Sequence, residues 1–201
     1  MERLILVRHA ESDYSARGLV SGDPAVAVPL TEEGRAQAER LGALLADTPV
    51  DLCAVSEFVR TRETADLALA GRGVPIVVVR ELNDHPAGRY EGRPLAEYLE
   101  WAHASGPDEL VPGAAESRVA AVRRFARGFR TLLERPEPTV LAVLHALPIG
   151  YLLEAVAGRD PAAKLGLLAY VEPRELSAFE VEAAVARLER WATSPSWAPA
   201  S

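Results

Sequence analysis

Short, unbroken apolar runs are the clearest pattern in this chain. Leu4, Ile5, Leu6 and Val7 form one run between Arg3 and Arg8, and Thr139 to Leu144 holds another. Runs of this length ending in polar residues predict strands buried on both faces. Asp51 to Val55 predicts a further short strand, and the β-branched run from Pro75 to Val79 predicts another. Between these runs the apolar positions change to helical spacing. Ala38, Leu41, Leu44 and Leu45 share one face of a helix that Thr31 caps, with Glu32 and Glu33 in the first turn, where the helix dipole favours negative charge. Arg60 to Ala70 predicts a helix stopped by Gly71. Glu116 to Glu134 predicts a long amphipathic helix, with Val119, Val122, Phe125, Phe129 and Leu132 on one face. Leu147 to Ala157 predicts another helix and Pro94 to His103 a short one. Leu168 to Trp191 predicts two short strands and some helix.

Strands alternating with helices predict a three-layer α/β/α sandwich with a mainly parallel central sheet. No linker-like stretch divides the 201 residues, so residues 1–192 read as one domain. The segment 83–113 contains Pro86, Gly88, Gly92 and Pro94, and reads as an inserted region over the sheet. The tail, 193–201, is expected to fray.

Composition narrows the choices. The chain is 49% hydrophobic and 25% charged, which is ordinary for a folded domain. Lys and Arg number 22 against 29 Asp and Glu, a net charge of −7, which disfavours a general nucleic-acid or membrane-surface binder. No stretch suits a signal peptide or a membrane span, so the expected location is the cytoplasm. Cys53 is the sole cysteine, which excludes an intramolecular disulfide, a CxxC pair and a Cys cluster for zinc. Oligomeric state is not legible.

Candidate chemistry lies where strands end. In a sheet of this kind ligands bind beyond the carboxyl ends of the strands. His9 follows the first apolar run and His145 the run from Thr139 to Leu144. Either histidine alone reads most simply as a backbone-bonded side chain. Arg8 beside His9 changes the balance, because a guanidinium at the mouth of a buried strand calls for an anion. Arg60 lies near a helix start, in the stretch Ser56 to Ala65. Arginines pair bidentately with phosphate, and helix N-termini attract anions. Two arginines and two histidines in one crevice suit a phosphoryl group. Glu11 and Asp13 match no metal-ligand spacing, and the nearby arginines oppose a cation. Cys53 reads as a small buried residue, and Trp101, Trp191 and Trp197 lack the basic neighbours of a nucleic-acid platform.

Five motifs in order resemble the histidine phosphatase superfamily, also called the phosphoglycerate-mutase-like family. The family's Arg-His-Gly-Glu appears as Arg8-His9-Ala10-Glu11, and its Leu-Thr-x-x-Gly as Leu30 to Gly34. Its second-arginine motif appears as Ser56 to Ala65. Its Leu-x-Glu appears as Leu82-Asn83-Asp84, followed by Gly88 to Gly92. Its Val-Ser-His-Gly appears as Val143 to Ala146. The resemblance implies that His9 is the nucleophile, transiently phosphorylated. It implies that Arg8, Arg60 and His145 hold the phosphoryl oxygens, with Ser15 and Ala146 also on the substrate side. Asp84 falls where the family has a glutamate proton donor, and Glu81 and His85 are adjacent rivals. No metal or other cofactor is implied.

This sequence departs from the family pattern at several points. Ala10 and Ala146 replace glycines, Ser15 stands where an asparagine is common, Glu57 replaces a proline, and Asp84 is one methylene shorter than glutamate. The reading that results is a metal-independent phosphomonoesterase acting through phosphohistidine on a small phosphorylated metabolite. A phosphoglycerate-type mutase, a protein phosphohistidine phosphatase and a non-catalytic phosphate-binding module are the alternatives.

Overall fold

The computed structural model describes residues 1–166 and 168–197. Five strands form one sheet: β1 (Arg3–Arg8), β2 (Leu52–Val55), β3 (Ile76–Val78), β4 (Thr139–Leu144) and β5 (Arg174–Ser177). Their order is β3-β2-β4-β1-β5. The β1–β4, β2–β4 and β2–β3 pairs are parallel, and only β5 runs antiparallel. The apolar runs form strands because both faces are covered. Alternate side chains of β1, β2 and β4 serve two separate cores, as the period of two requires. Leu4, Leu6, Leu52, Ala54, Val140 and Ala142 face one way. They pack on α5 (Arg118–Leu133), α6 (Ala146–Val156) and α7 (Ala178–Trp191). Ile5, Val7, Cys53, Val55, Leu141 and Val143 face α2 (Glu32–Leu44) and α3 (Val59–Ala68). This is the expected three-layer sandwich.

The capping signals act as expected. Thr31 accepts the Gly34 amide at the start of α2, and Ser117 accepts the Ala120 amide at the start of α5. Two elements differ from the expectation. Asp13–Ala16 forms a one-turn helix, α1, which lacks the apolar periodicity that reveals longer helices. Among the described residues from Leu168 to Trp191 there is one strand, β5, not two. It reads Arg-Glu-Leu-Ser and buries only Leu176, a charged composition suited to a sheet edge.

The inserted region has a small core of its own. Ala87, Tyr90, Tyr98, Ala102 and Val111 pack with Val20, and it contains helix α4 (Leu95–Ala104). The tail does not fray at once. Trp197 stacks on Trp191 at 5.6 Å, and its Nε1 donates to the Ser105 carbonyl at 2.8 Å. Residues 198–201 lie outside the described residues. Phe125, on α5, is fully buried in the core, whereas Phe179 is 79% exposed. Phe125→Ala is expected to destabilise by about 3–5 kcal/mol. Phe179→Ala should stay within about 0.5 kcal/mol, and urea denaturation of both variants checks the contrast.

Candidate active site

The two central strands deliver both histidines to the same place. β1 and β4 lie side by side with Arg8 opposite Leu144, so His9 and His145 each follow the last rung. The His9 amide donates to the Leu144 carbonyl at 2.9 Å and prolongs the ladder by one bond. The imidazole centroids are 5.3 Å apart, and both rings are buried.

Arg60 joins them. It is 3% exposed, on the first turn of α3. Its Nε donates to His9 Nε2 at 3.1 Å, and one terminal nitrogen donates to His145 Nδ1 at 3.1 Å. The same terminal nitrogen donates to the Ser21 carbonyl at 3.1 Å, and the other donates to Ser21 Oγ at 2.9 Å. A guanidinium has donors only, so each imidazole nitrogen facing it must carry a lone pair. The remaining nitrogens then carry the protons. His9 Nδ1 donates to the Ala10 carbonyl at 2.7 Å, and His145 Nε2 donates to Ser56 Oγ at 2.8 Å. Both histidines are therefore neutral, with defined tautomers. Burial is the main cause, and the charges of Arg60 and Arg8 add to it, holding both rings well below the usual imidazole range. Burial also lowers the Arg60 pKa to about 10, opposed by the negative charges of Asp84 and Glu91. It remains a cation at neutral pH.

Helix α3 is tied to the end of β1. Thr64 Oγ1 donates to the Arg60 carbonyl at 2.7 Å and accepts the Ala10 amide at 3.1 Å. Phe58 supports the pair from the side, 4.7 Å from the His145 ring and 4.2 Å from the Arg60 guanidinium. Arg8 occupies the opposite rim. One terminal nitrogen donates to the Leu168 carbonyl at 2.6 Å, and its guanidinium stacks on Tyr170 at 4.1 Å. Its Nε is buried with no acceptor among the described residues. The Tyr170 ring lies 6.1 Å from that of His9. Val171, next in the chain, has a φ of 48° and donates its amide to the Arg8 carbonyl.

Asp84 completes the group. Its Oδ2 lies 3.7 Å from His145 Nδ1 and 3.9 Å from the nearest Arg60 nitrogen, with a quarter of the side chain exposed. Its Oδ1 accepts the His85 amide at 3.0 Å. Burial raises its pKa, and the Arg60 charge opposes the rise without cancelling it. The rivals face elsewhere. His85 turns into the inserted region, where Nδ1 meets the Tyr98 hydroxyl at 2.8 Å, and burial pushes its pKa down to about 3. Glu81 lies on a separate surface pocket with Glu57, Arg62 and Arg80.

Ser15 is engaged locally with Ser12. Its hydroxyl accepts the Ser12 amide at 2.8 Å and donates to the Ser12 carbonyl at 2.9 Å, closing the turn of α1. Ala146 opens α6, so its amide belongs to the first turn, where amides lack a helical partner. Neither Ala10 nor Ala146 has a positive φ, which explains why a methyl group is tolerated where the family pattern has glycine.

A family model for the histidine phosphatase superfamily (branch 1) matches residues 4–194. The chain belongs to that superfamily. Among superfamily relatives, the adenosylcobalamin/alpha-ribazole phosphatase of Salmonella typhimurium is 45% identical over 133 residues, covering 62% of this chain and 64% of that protein. The Escherichia coli protein of the same name is 30% identical over 80% of this chain and 82% of its own. The crystal structure of the alpha-ribazole phosphatase from Shigella flexneri superposes with a TM-score of 0.69 at 30% identity. It covers 79% of this chain and 81% of that one.

Sequence reasoning missed three residues that the structure brings against this cluster. Ser21 holds Arg60 through two bonds, yet it sits in an irregular loop with no periodicity to mark it. That loop is fixed by Glu91, whose Oε2 accepts the Gly22 and Asp23 amides at 2.7 and 3.1 Å. Tyr170 is likewise on an irregular segment far along the chain. Ser56 opens the second-arginine motif, but its bond to His145 depends on the pairing of β2 with β4. A charged hydrogen bond contributes about 1.5–3 kcal/mol, so Arg60→Ala should weaken vanadate inhibition and kcat/KM at least roughly tenfold to a hundredfold. Titration of the variant with vanadate, alongside its thermal unfolding, separates lost anion contact from lost folding.

Proposed function

We propose that the chain is a phosphomonoesterase that works through a phosphohistidine on His9, without a metal ion, on a small phosphorylated metabolite. The observation that carries this reading is the neutral His9 ring, its Nε2 lone pair facing a buried guanidinium. A lone pair beside fixed positive charge suits attack on phosphorus, because the guanidinium also stabilises the equatorial oxygens. In the resting site Arg60 donates to that lone pair. When a phosphoryl group enters, those donors turn to its oxygens and the lone pair is released.

The first transfer forms the bond from His9 Nε2 to phosphorus and breaks the ester P–O bond. Asp84, as the acid, gives its proton to the departing alkoxide. In the second transfer the Asp84 carboxylate takes a proton from water, whose oxygen attacks phosphorus. The P–N bond breaks, inorganic phosphate leaves, and His9 returns neutral with Asp84 protonated. His145 and Arg8 hold the phosphoryl oxygens with Arg60. The relatives named alpha-ribazole phosphatases make an alpha-ribazole phosphate the first substrate to try.

An acid-labile phosphoenzyme should form rapidly from the wild-type protein and be absent from His9→Ala. Normal turnover by His9→Ala would overturn the mechanism. Isomerised phosphoglycerate without phosphate release would instead indicate a mutase, and tight phosphate binding without turnover a binding module.

The pH dependence follows from the two environments. Only the protonated form of Asp84 donates, and its pKa is raised, so acid is retained above the usual carboxylate range. On an alkyl phosphate, kcat/KM should therefore fall as pH rises through that pKa. His9 is lowered, so it stays unprotonated well into acid. Asp84→Asn should cut kcat/KM on an alkyl phosphate by about 10²–10⁴ and remove the falling limb. An aryl phosphate, whose phenolate needs little help to leave, should lose much less. Equal losses on both esters would remove Asp84 from the acid role.

A further inference from the structure

One side chain outside the catalytic group grips the backbone that carries Asp84. Arg124, on α5, donates from one terminal nitrogen to the carbonyls of Glu81 at 2.9 Å and Asn83 at 2.7 Å. The other terminal nitrogen donates to the Asp84 carbonyl at 3.1 Å. The guanidinium also holds Glu116 bidentately, through Nε at 2.8 Å and a terminal nitrogen at 2.7 Å. Arg124 and Glu116 are 17% and 20% exposed, so the pair is shielded rather than a solvated surface contact.

These partners sit at two separate places in the fold. Residues 81–84 are where the chain leaves the sheet layer for the inserted region. Glu116 is where it returns, just before the Ser117 cap of α5. Its own carbonyl accepts the Val111 amide, and Leu110 bridges Ser117. A single planar cation therefore closes both ends of the insertion. The approach is tight one helical turn later. A Cβ added at Gly128 would lie 2.7 Å from the Leu82 side chain and 2.9 Å from Glu81 Cβ.

We propose that Arg124 is the positioning residue for the acid, setting how far the Asp84 carboxyl reaches toward the His9–His145 pair. This rests on the reading of Asp84 as proton donor. The Asp84 carbonyl is held by Arg124 and its Oδ1 by the His85 amide, so Oδ2 is left at 3.7 Å from His145 Nδ1 with little freedom. A short acidic side chain compensates little for a displaced backbone. A loss of grip should therefore appear in proton transfer before it appears in phosphate binding. Lysine has one nitrogen in place of the three that now serve five acceptors, so it cannot replace the fork.

The test compares an alkyl phosphate, p-nitrophenyl phosphate and vanadate across Arg124→Met, Arg124→Lys and Glu116→Gln. Arg124→Met should lose at least roughly tenfold in kcat/KM on the alkyl ester. It should lose much less on p-nitrophenyl phosphate and keep its vanadate inhibition. Arg124→Lys should recover only part of the alkyl loss, and Glu116→Gln should show the same selectivity in milder form. In an Asp84→Asn background, Arg124→Met should add no further selective loss, because the acid it positions is already gone. Equal losses on both esters, an unchanged alkyl rate, or full additivity with Asp84→Asn would each overturn the proposal. Should Arg124→Met fail to fold, Glu116→Gln decides by the same comparison. If Asp84→Asn itself loses equally on both esters, the acid assignment falls and takes this proposal with it. If Asp84→Asn is selective and the Arg124 and Glu116 variants are not, only the positioning role falls.

Discussion

A buried guanidinium without a hydrogen-bonded carboxylate is an expensive object, and much of this structure is arranged around Arg60. Taking the charge out of water is repaid only if every donor finds an acceptor and the surroundings tolerate a cation. Here the acceptors are two imidazole nitrogens and both oxygens of Ser21. Asp84, at 3.9 Å, contributes charge without a direct bond. The arrangement has a chemical consequence. Because Arg60 offers only donors, it selects the tautomer of each histidine and keeps both unprotonated. The same interaction that satisfies the cation leaves His9 Nε2 with its lone pair, as the proposed nucleophilic role requires, and a dianionic phosphoryl group entering the site would meet charge that the protein has left largely unneutralised.

Much of this was legible in sequence because it rests on local pattern. The apolar runs of β1 and β4 end at Arg8 and Leu144, and a buried parallel strand delivers whatever follows it to the ligand side of the sheet. That pattern alone puts His9 and His145 at the same end of the sheet. The helix caps at Thr31 and Ser117 are equally local. What escaped depends on contacts between segments that carry no pattern. Ser21 meets Arg60 only because Glu91 holds the Ser21–Asp23 loop from the far side of the insertion. The bonds of Ser15 to Ser12, three residues away, were not legible either, although short hydroxyl side chains readily bond nearby backbone. The edge strand β5 was obscured because its charges suit its position at the rim.

Asp84 shows how two environments compete over one group. Burial favours the neutral acid, while Arg60, Arg8 and Arg124 favour the carboxylate. The proposed role, giving a proton in one half-reaction and accepting one in the next, would benefit from such a balance. The wrong neighbour on either side would fix it in one form. His85, next in the chain, is pushed down by burial and by Arg118 and Arg124, and a backbone hydrogen bond at Ser117 offsets only part of that, so the neutral ring prevails.

The adjacency of β1 and β4 has a consequence for how this molecule can change. His9 and His145 stand one residue beyond the same rung, and the sheet advances about 3.3 Å per residue with side chains on alternating faces. Adding or deleting a single residue within either strand would shift one imidazole along the sheet and turn it toward the opposite layer. By contrast, the segment from Asn83 to Glu116 leaves and rejoins the domain at neighbouring points, so apart from Asp84 and the Glu91 brace its interior can lengthen, shorten or exchange side chains without disturbing that rung. Heritable variation is thus channelled: the reaction centre is protected by strand counting, while the walls that meet the rest of a substrate are open to drift and selection.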